Sequence, residues 1–152
     1  MRLSALRFVI ATISVLLLGC ASKNPEEIAS KIQVDFPVSQ EISKASGTGW
    51  DVELTNESNY CVIFPLVTGM TIYTELGGKQ LEVENMVNII GSENLYLNPR
   101  GEIFSKMSVG ILPDISNVTI EKPTQFFARL SGYLCEDENT NIIKTIPFTV
   151  TP

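Results

Sequence analysis

The 152-residue chain contains no histidine, only three cysteines and a single tryptophan. Without histidine, the Ser–His–Asp and Cys–His arrangements of hydrolases are excluded, and so is the commonest general base and metal ligand. Basic residues are also scarce, because 11 lysines and arginines stand against 17 acidic residues, for a net charge of −6. Phosphate contacts need clustered positive charge, so the sequence predicts no nucleic-acid partner.

Other catalytic signatures are missing as well. No serine stands three residues before a lysine, and neither a P-loop nor a Gly-x-Gly-x-x-Gly motif is present. The hydrophobic fraction of 44% is that of a globular protein, and the length suits one domain. We therefore expect a protein that is not an enzyme and that carries neither a cofactor nor a metal ion.

The N-terminus has the form of an export signal. Arg2 and Arg7 flank the start of an apolar run at residues 8–18, and no acidic residue precedes Glu26. A membrane-spanning helix needs about 20 apolar residues, so this run is too short to span a bilayer. A positive start followed by a short apolar segment is typical of a secretory signal peptide. A buried N-terminal helix is the alternative, but arginine flanks and an all-round apolar face suit export better.

The end of this segment, Leu17-Leu18-Gly19-Cys20, resembles the lipobox of bacterial lipoproteins. The resemblance implies that Cys20 is acylated, for example with palmitate, and becomes the N-terminus of a membrane-anchored protein. Each buried CH₂ group contributes roughly 0.8 kcal/mol, so the two or three chains of such a cysteine would anchor it permanently. Ala21 follows instead of Asp, which implies the outer rather than the inner membrane. The alternative is ordinary signal cleavage after a small-x-small site, and Gly19 and Ala21 fit that pattern only loosely.

The two remaining cysteines, Cys61 and Cys135, form an even pair in an exported domain, which predicts a disulfide. Closing this loop should stabilise the fold by about 4.5 kcal/mol in the chain-entropy model. Two buried free thiols or a metal site are the alternatives. A metal site would need further ligands, which a chain without histidine does not supply.

Short alternating segments dominate the rest of the chain. Residues 50–56 alternate between apolar and polar, and residues 60–67 are almost continuously apolar, as in a buried strand. Gly77-Gly78 separates two further alternating segments and predicts a hairpin. Residues 103–109 are expected to form another strand. About seven to nine such strands, spaced about 8 to 12 residues apart, predict an all-β sandwich or barrel.

The Tyr-Leu-Cys triplet at residues 133–135 resembles the Tyr-x-Cys of the immunoglobulin F strand. The resemblance implies an immunoglobulin-like antiparallel β-sandwich. Trp50 precedes Cys61, so the family's usual bridge between sheets does not transfer. If residues 60–67 form strand C and residues 126–136 form strand F, these strands are antiparallel neighbours. The two cysteines would then meet at one end of a single sheet.

Three parts of the chain follow from these patterns. Residues 1–19 are the expected lipoprotein signal peptide, and residues 20–48 are the lipidated N-terminus and tether, with a possible first strand or short helix. Asn24 and Pro25 favour a helix start there. Residues 49–152 are the expected immunoglobulin-like domain.

With no catalytic group in view, partner binding is the expected function, through an unknown envelope protein or glycan and through the membrane that holds the lipid. The candidate partner-binding residues lie in two polar turns and are Asn98, Arg100, Glu136, Asp137 and Glu138. An alternative is an inhibitor that inserts one of these turns into a secreted or host hydrolase such as a protease or lysozyme. A second alternative is an enzyme that uses paired carboxylates, which would need a concave pocket holding two of them.

Overall fold

The computed structural model of the chain describes residues 23–37, 39–46, 50–84 and 93–152. These residues form ten strands, one short α-helix and one 3-10 turn, so the predicted all-β sandwich is confirmed. The signal peptide and Cys20 lie outside the described residues. The elements are α1 (Pro25–Ser30), β1 (Ile32–Asp35), β2 (Glu41–Ser43), the 3-10 turn (Lys44–Ser46), β3 (Trp50–Asn56), β4 (Val62–Pro65), β5 (Met70–Leu76), β6 (Lys79–Val83), β7 (Asn94–Leu97), β8 (Lys106–Ile111), β9 (Thr124–Leu134) and β10 (Asp137–Thr151).

The strands are arranged in two sheets. The smaller sheet has the antiparallel order β1-β3-β8, and the larger one has the order β2-β10-β9-β4-β7. Two strands pair with the same edge of β9. β4 pairs with the end of β9, where Val62 is opposite Leu134, and β5 pairs with its earlier part, where Met70 is opposite Leu130. All pairings are antiparallel except that of β2 with β10. β6 pairs with β5.

Alternation along the strands builds the core between the sheets. In β9 every second side chain from Phe126 to Leu134 is buried, as expected for a strand with one face on the core. Phe126 and Phe148 stack with their ring centroids 5.7 Å apart. Val52 and Leu54 of the smaller sheet belong to the same apolar cluster. Burial of these side chains is the main favourable contribution to folding.

The segment expected as a tether contributes secondary structure to the sandwich. The side-chain oxygen of Asn24 accepts the N–H of Glu26 at 3.1 Å and caps α1, whose Ile28 is buried. Ile32 is buried in β1, which pairs with β3 of the smaller sheet, while Ile42 is buried in β2, which joins the larger sheet. The first part of the domain is thus divided between both sheets.

Three glycines shape the larger sheet. Gly77 and Gly78 have φ angles of 59° and 76°, which L side chains rarely adopt, and they close the predicted hairpin between β5 and β6. Gly132 of β9 faces β4 so closely that a Cβ atom there would lie 2.2 Å from the carbonyl oxygen of Ile63. This close approach brings the end of β9 onto the start of β4.

No helix in the described ranges is long and apolar enough to cross a membrane.

Candidate functional site

The two cysteines meet where β4 begins and β9 ends. Val62 pairs with Leu134, and the residues next to them, Cys61 and Cys135, form the predicted disulfide. The backbone N–H of Cys135 also donates to the carbonyl oxygen of Cys61 at 3.0 Å. We name this end of the sandwich, with residues 57–61, residues 98–105 and the turn that follows Cys135, the disulfide end.

A buried asparagine connects the loops of the disulfide end. Asn56 is fully buried, and its Nδ2 atom donates to the carbonyl oxygens of Tyr60 at 2.8 Å, Leu97 at 3.1 Å and Asn98 at 3.0 Å. Its Oδ1 atom accepts the backbone N–H of Ser58 at 2.9 Å. Because a buried polar group without partners is costly, this side chain fixes both loops at once. Residues 56–59 read as a polar turn from the sequence alone, and that reading does not reveal this role.

Backbone contacts tie the same loops to the start of the domain. The N–H of Arg100 donates to the carbonyl oxygen of Ser58 at 2.8 Å, and the N–H of Glu57 donates to that of Lys31 at 2.9 Å. The Nε atom of Arg100 also lies 3.3 Å from Oε2 of Glu57. The loops of the disulfide end are therefore joined to one another and to the residue that precedes β1.

Residues 98–105 present two apolar side chains to solvent. Ile103 is 77% exposed and Phe104 is 63% exposed, the two highest values among the large apolar side chains of the described residues. The loop is held from within, since Nδ2 of Asn98 donates to the carbonyl oxygen of Ile103 at 2.7 Å and the N–H of Asn98 donates to that of Phe104 at 3.2 Å. Phe104 has a φ of 63°, an unusual conformation for a bulky residue.

This loop differs from the sequence-based expectation in two respects. The strand predicted at residues 103–109 begins only at Lys106, because the chain first folds back on Asn98. Asn98 is a predicted partner-binding residue, but its side-chain N–H donates a hydrogen bond within its own loop. Arg100, the other candidate in this loop, is exposed and forms an ion pair with Glu57. Sequence reasoning missed the pair at positions 103 and 104, which read as the start of a strand.

The acidic candidates lie at the same end, on either side of the start of β10. Glu136 is in the turn after the disulfide, and Asp137 and Glu138 begin the strand. Asp137 accepts the hydroxyl of Thr140 at 2.6 Å and the N–H of Asn139 at 3.1 Å. These hydrogen bonds, the one from Thr140 foremost, hold the pKa of Asp137 below its ordinary value. Glu138 remains exposed.

Lys23, the first described residue, also lies here. Its Nζ atom is 2.7 Å from Oε1 of Glu136 and 5.9 Å from the ring centroid of Tyr60. The hydrogen bond to Glu136 raises the pKa of Lys23 above its ordinary value. The described chain therefore starts at the disulfide end, beside the predicted acidic candidates.

A half-open cleft of about 330 Å³ lies elsewhere, along the edge strand β6, and Glu82, Glu84 and Asp114 line it. The hydrogen bond from the Ser116 hydroxyl lowers the pKa of Asp114, which is the opposite of what a general acid needs. Within the described residues, no three acidic or cysteine side chains are arranged to hold a metal ion. Asp114 of this cleft is therefore held in its charged form.

No protein-family model matches the chain, and no curated protein does. Among solved structures, the E. coli chaperone DraB is similar with a TM-score of 0.53 at 11% identity, over 80% of this chain and 55% of DraB. At this level of identity the likeness shows the fold alone, and it supports an immunoglobulin-like sandwich.

Two further structures are similar at lower scores. One is the CsuC–CsuE chaperone–tip adhesion subunit pre-assembly complex of Acinetobacter baumannii Csu pili, with a TM-score of 0.48 at 13% identity, over 79% of this chain and 51% of that one. The other is PapD-like domain 7 of human CEP192, with a TM-score of 0.43 at 12% identity, over 86% of this chain and 88% of that domain's chain. The chain spans about half the length of the DraB chain and of the matched chain in the CsuC–CsuE complex.

Proposed function

We propose that this protein is an exported lipoprotein, acylated at Cys20, that acts at the bacterial envelope as a non-enzymatic binding or assembly module. The Leu17-Leu18-Gly19-Cys20 sequence supports the anchor, and Ala21 in the following position favours the outer membrane over the inner one. The partner is an envelope protein or glycan.

The observation that carries export is the disulfide between Cys61 and Cys135. Cys135 is exposed and Cys61 is half-buried, so the bond lies near the surface of the fold. Disulfides persist in the periplasm and at the cell surface and are rare in the reducing cytosol. A bond at the surface of the fold therefore fits a protein that works outside the cytosol.

The binding role is supported by the fold and by an edge of the larger sheet. DraB, which has a similar fold, is a chaperone. Among the described strands, β6 pairs only with β5, and its side chains are exposed over most of its length, Leu81 included. An edge strand offers unpaired backbone groups with which a partner segment can pair. We assign the partner contact to β6 and its cleft.

Intact-mass analysis of the protein extracted from native envelopes tests the anchor. The expected mass lacks residues 1–19 and includes acyl chains on Cys20. A Cys20→Ser variant provides the control, since it cannot be acylated. A mature protein without acyl mass, recovered from the aqueous fraction, would contradict the anchor.

Photocrosslinking in intact envelopes tests the binding role. Benzoylphenylalanine placed at Gln80, exposed on β6, should give a discrete adduct with a protein or glycan. The same group placed at Thr145, exposed on β10, is the matched control and should give none. Absence of any adduct from Gln80 would remove β6 as the binding surface.

A further inference from the structure

We infer that the disulfide end lies on the membrane surface and that Ile103 and Phe104 insert into the interfacial layer of a zwitterionic phospholipid leaflet. This inference rests on the proposed anchor at Cys20. The anchor by itself says nothing about the orientation of the domain, which follows from the structure.

The first step is the short distance from the anchor to the fold. Cys20 and Lys23 are three positions apart in the sequence, and a fully extended chain covers about 3.3–3.6 Å per residue, so their separation is at most about 11 Å. Directly after Lys23, Asn24 caps α1 and the buried Ile28 fixes that helix on the sandwich. If Cys20 is acylated, the link between the lipid and the domain is therefore too short to hold the domain away from the bilayer.

The second step is the end of the domain from which this short link departs. Lys23 contacts Glu136 and Tyr60, both at the disulfide end. The opposite end carries the β5–β6 hairpin with Leu76, where β5 runs past the start of β9. The eleven residues of β9 span about 34 Å at roughly 3.4 Å per residue. The short link therefore keeps the disulfide end near the lipid and the hairpin away from it.

The third step is the chemistry of this end. Ile103 and Phe104 are the most exposed large apolar side chains of the described chain, and they are adjacent. Aromatic and large aliphatic side chains are those that interfacial segments bury about 5–10 Å into the headgroup boundary. The hydrogen bonds from Asn98 hold the pair in place before contact, so little conformational entropy is lost on insertion.

The charges at this end select the kind of lipid. In the described part of the chain, each ion pair either lies at the disulfide end or adjoins it, and the pairs are Lys23–Glu136, Lys31–Glu27, Arg100–Glu57 and Lys106–Glu53. Their basic groups are already neutralised by acidic partners, and Glu102 and Glu138 add negative charge. A strongly anionic surface would repel such an end, whereas a zwitterionic one would not.

The experiment uses the full acylated protein in vesicles of phosphatidylethanolamine and phosphatidylcholine, with and without dibrominated acyl chains that quench tryptophan on contact. One variant carries Phe104→Trp, and the matched control carries Leu76→Trp, an exposed apolar position at the hairpin end. The fluorescence of the native Trp50 is present in both variants, so it is subtracted when the two are compared. Thermal unfolding of each variant verifies that it is folded.

Bromolipid should remove roughly half or more of the fluorescence that tryptophan adds at position 104, and almost none of that at position 76. Acyl mass on Cys20 with equal quenching at both positions would overturn this inference and leave the anchor intact. A different result would be that bromolipid does not quench tryptophan at position 104 and that benzoylphenylalanine at this position crosslinks to a protein. This result would overturn the inference and assign Ile103 and Phe104 to a contact with a protein. Absence of acyl mass would overturn the anchor and this inference together.

Discussion

Nζ of Lys23 lies 2.7 Å from Oε1 of Glu136, so the chain starts its described course against the turn that joins β9 to β10. An exposed ion pair of this kind contributes little stability by itself. The position of Lys23 is fixed mainly by its neighbours, because Asn24 caps α1 and Ile28 packs into the core. The start of the domain and its disulfide therefore share one end, and a membrane anchor only three residues away would share it too.

Removal of the Asn56 side chain should destabilise the fold strongly. Asn56→Ala removes a hydrogen bond from the carbonyl oxygens of Tyr60, Leu97 and Asn98 and from a backbone N–H in the same loop, and we expect a loss of about 2–4 kcal/mol in the free energy of unfolding. Urea denaturation provides the measurement. Asn59→Ala, at an exposed asparagine in the same loop, is the control and should change stability by less than about 0.5 kcal/mol. Equal effects of the two substitutions would refute the role of Asn56.

The backbone of Phe104 is expected to store strain. Its φ of 63° is disfavoured for every residue with a Cβ atom, so Phe104→Gly should raise stability by about 1 kcal/mol relative to Phe104→Ala. Both substitutions remove the exposed ring, so the difference between them isolates the backbone effect. Thermal and urea unfolding of the two variants measure it. A glycine variant no more stable than the alanine variant would show that the conformation carries no strain.

A methyl group at Gly132 should disrupt the contact between β4 and β9. Its Cβ would lie 2.2 Å from the carbonyl oxygen of Ile63 and 2.6 Å from Cδ1 of Phe64, so the strands would have to separate. We expect Gly132→Ala to cost about 2–4 kcal/mol. Gly110→Ala in β8 is the matched control, because its Cβ would meet only Asp51 Oδ1, at 3.6 Å. Unfolding curves that place both variants at the same midpoint would contradict this prediction.

The hydrogen bond from Thr140 to Asp137 should make stability depend on pH in the acidic range. The folded-state pKa of Asp137 lies below its ordinary value of 3.8, so its contribution is fully present above that value and is lost as the pH falls through the folded pKa. Thr140→Val removes the main cause of the shift. The difference in melting temperature between native protein and variant should be present at neutral pH and shrink below about pH 4.

The control for this pH series is Thr145→Val, the same exchange at an exposed threonine of β10. Its effect on the melting temperature should not vary with pH. A gap between native protein and Thr140→Val that stays constant from neutral to acidic pH would rule out the proposed linkage.

Local patterns predicted much of the sheet structure. The alternation at residues 50–56 coincides with β3, and Gly77-Gly78 lies at the turn between β5 and β6. The disulfide was predicted from the even pair of cysteines in an exported domain. The pairing of Val62 with Leu134 places both cysteines at one end of a single sheet, as the immunoglobulin resemblance implied. The strand and the hairpin were predictable because period-two burial and positive φ are properties of a few consecutive residues.

Other features could not be predicted because they depend on contacts between distant residues. Asn56 reads as a turn residue, yet it is buried because the carbonyl oxygen of Leu97, 41 positions away, comes within reach of its amide. Ile103 reads as a strand residue, yet it is exposed because Asn98 folds the loop back before β8 begins. A pattern of apolar residues cannot distinguish such a loop from a strand start.

By itself, the sequence determined the β-rich character of the domain and the hairpin, because both depend on residue type and local spacing. It also determined the cysteine pair, because that prediction needs only the number of cysteines and the export signal. The tertiary structure decided which loops gather at the disulfide end, the exposure of Phe104 and the division of β1 and β2 between two sheets. The reason is that burial and hydrogen bonding at an end of a sandwich are set by segments far apart in the chain, which meet only when the sheets have packed.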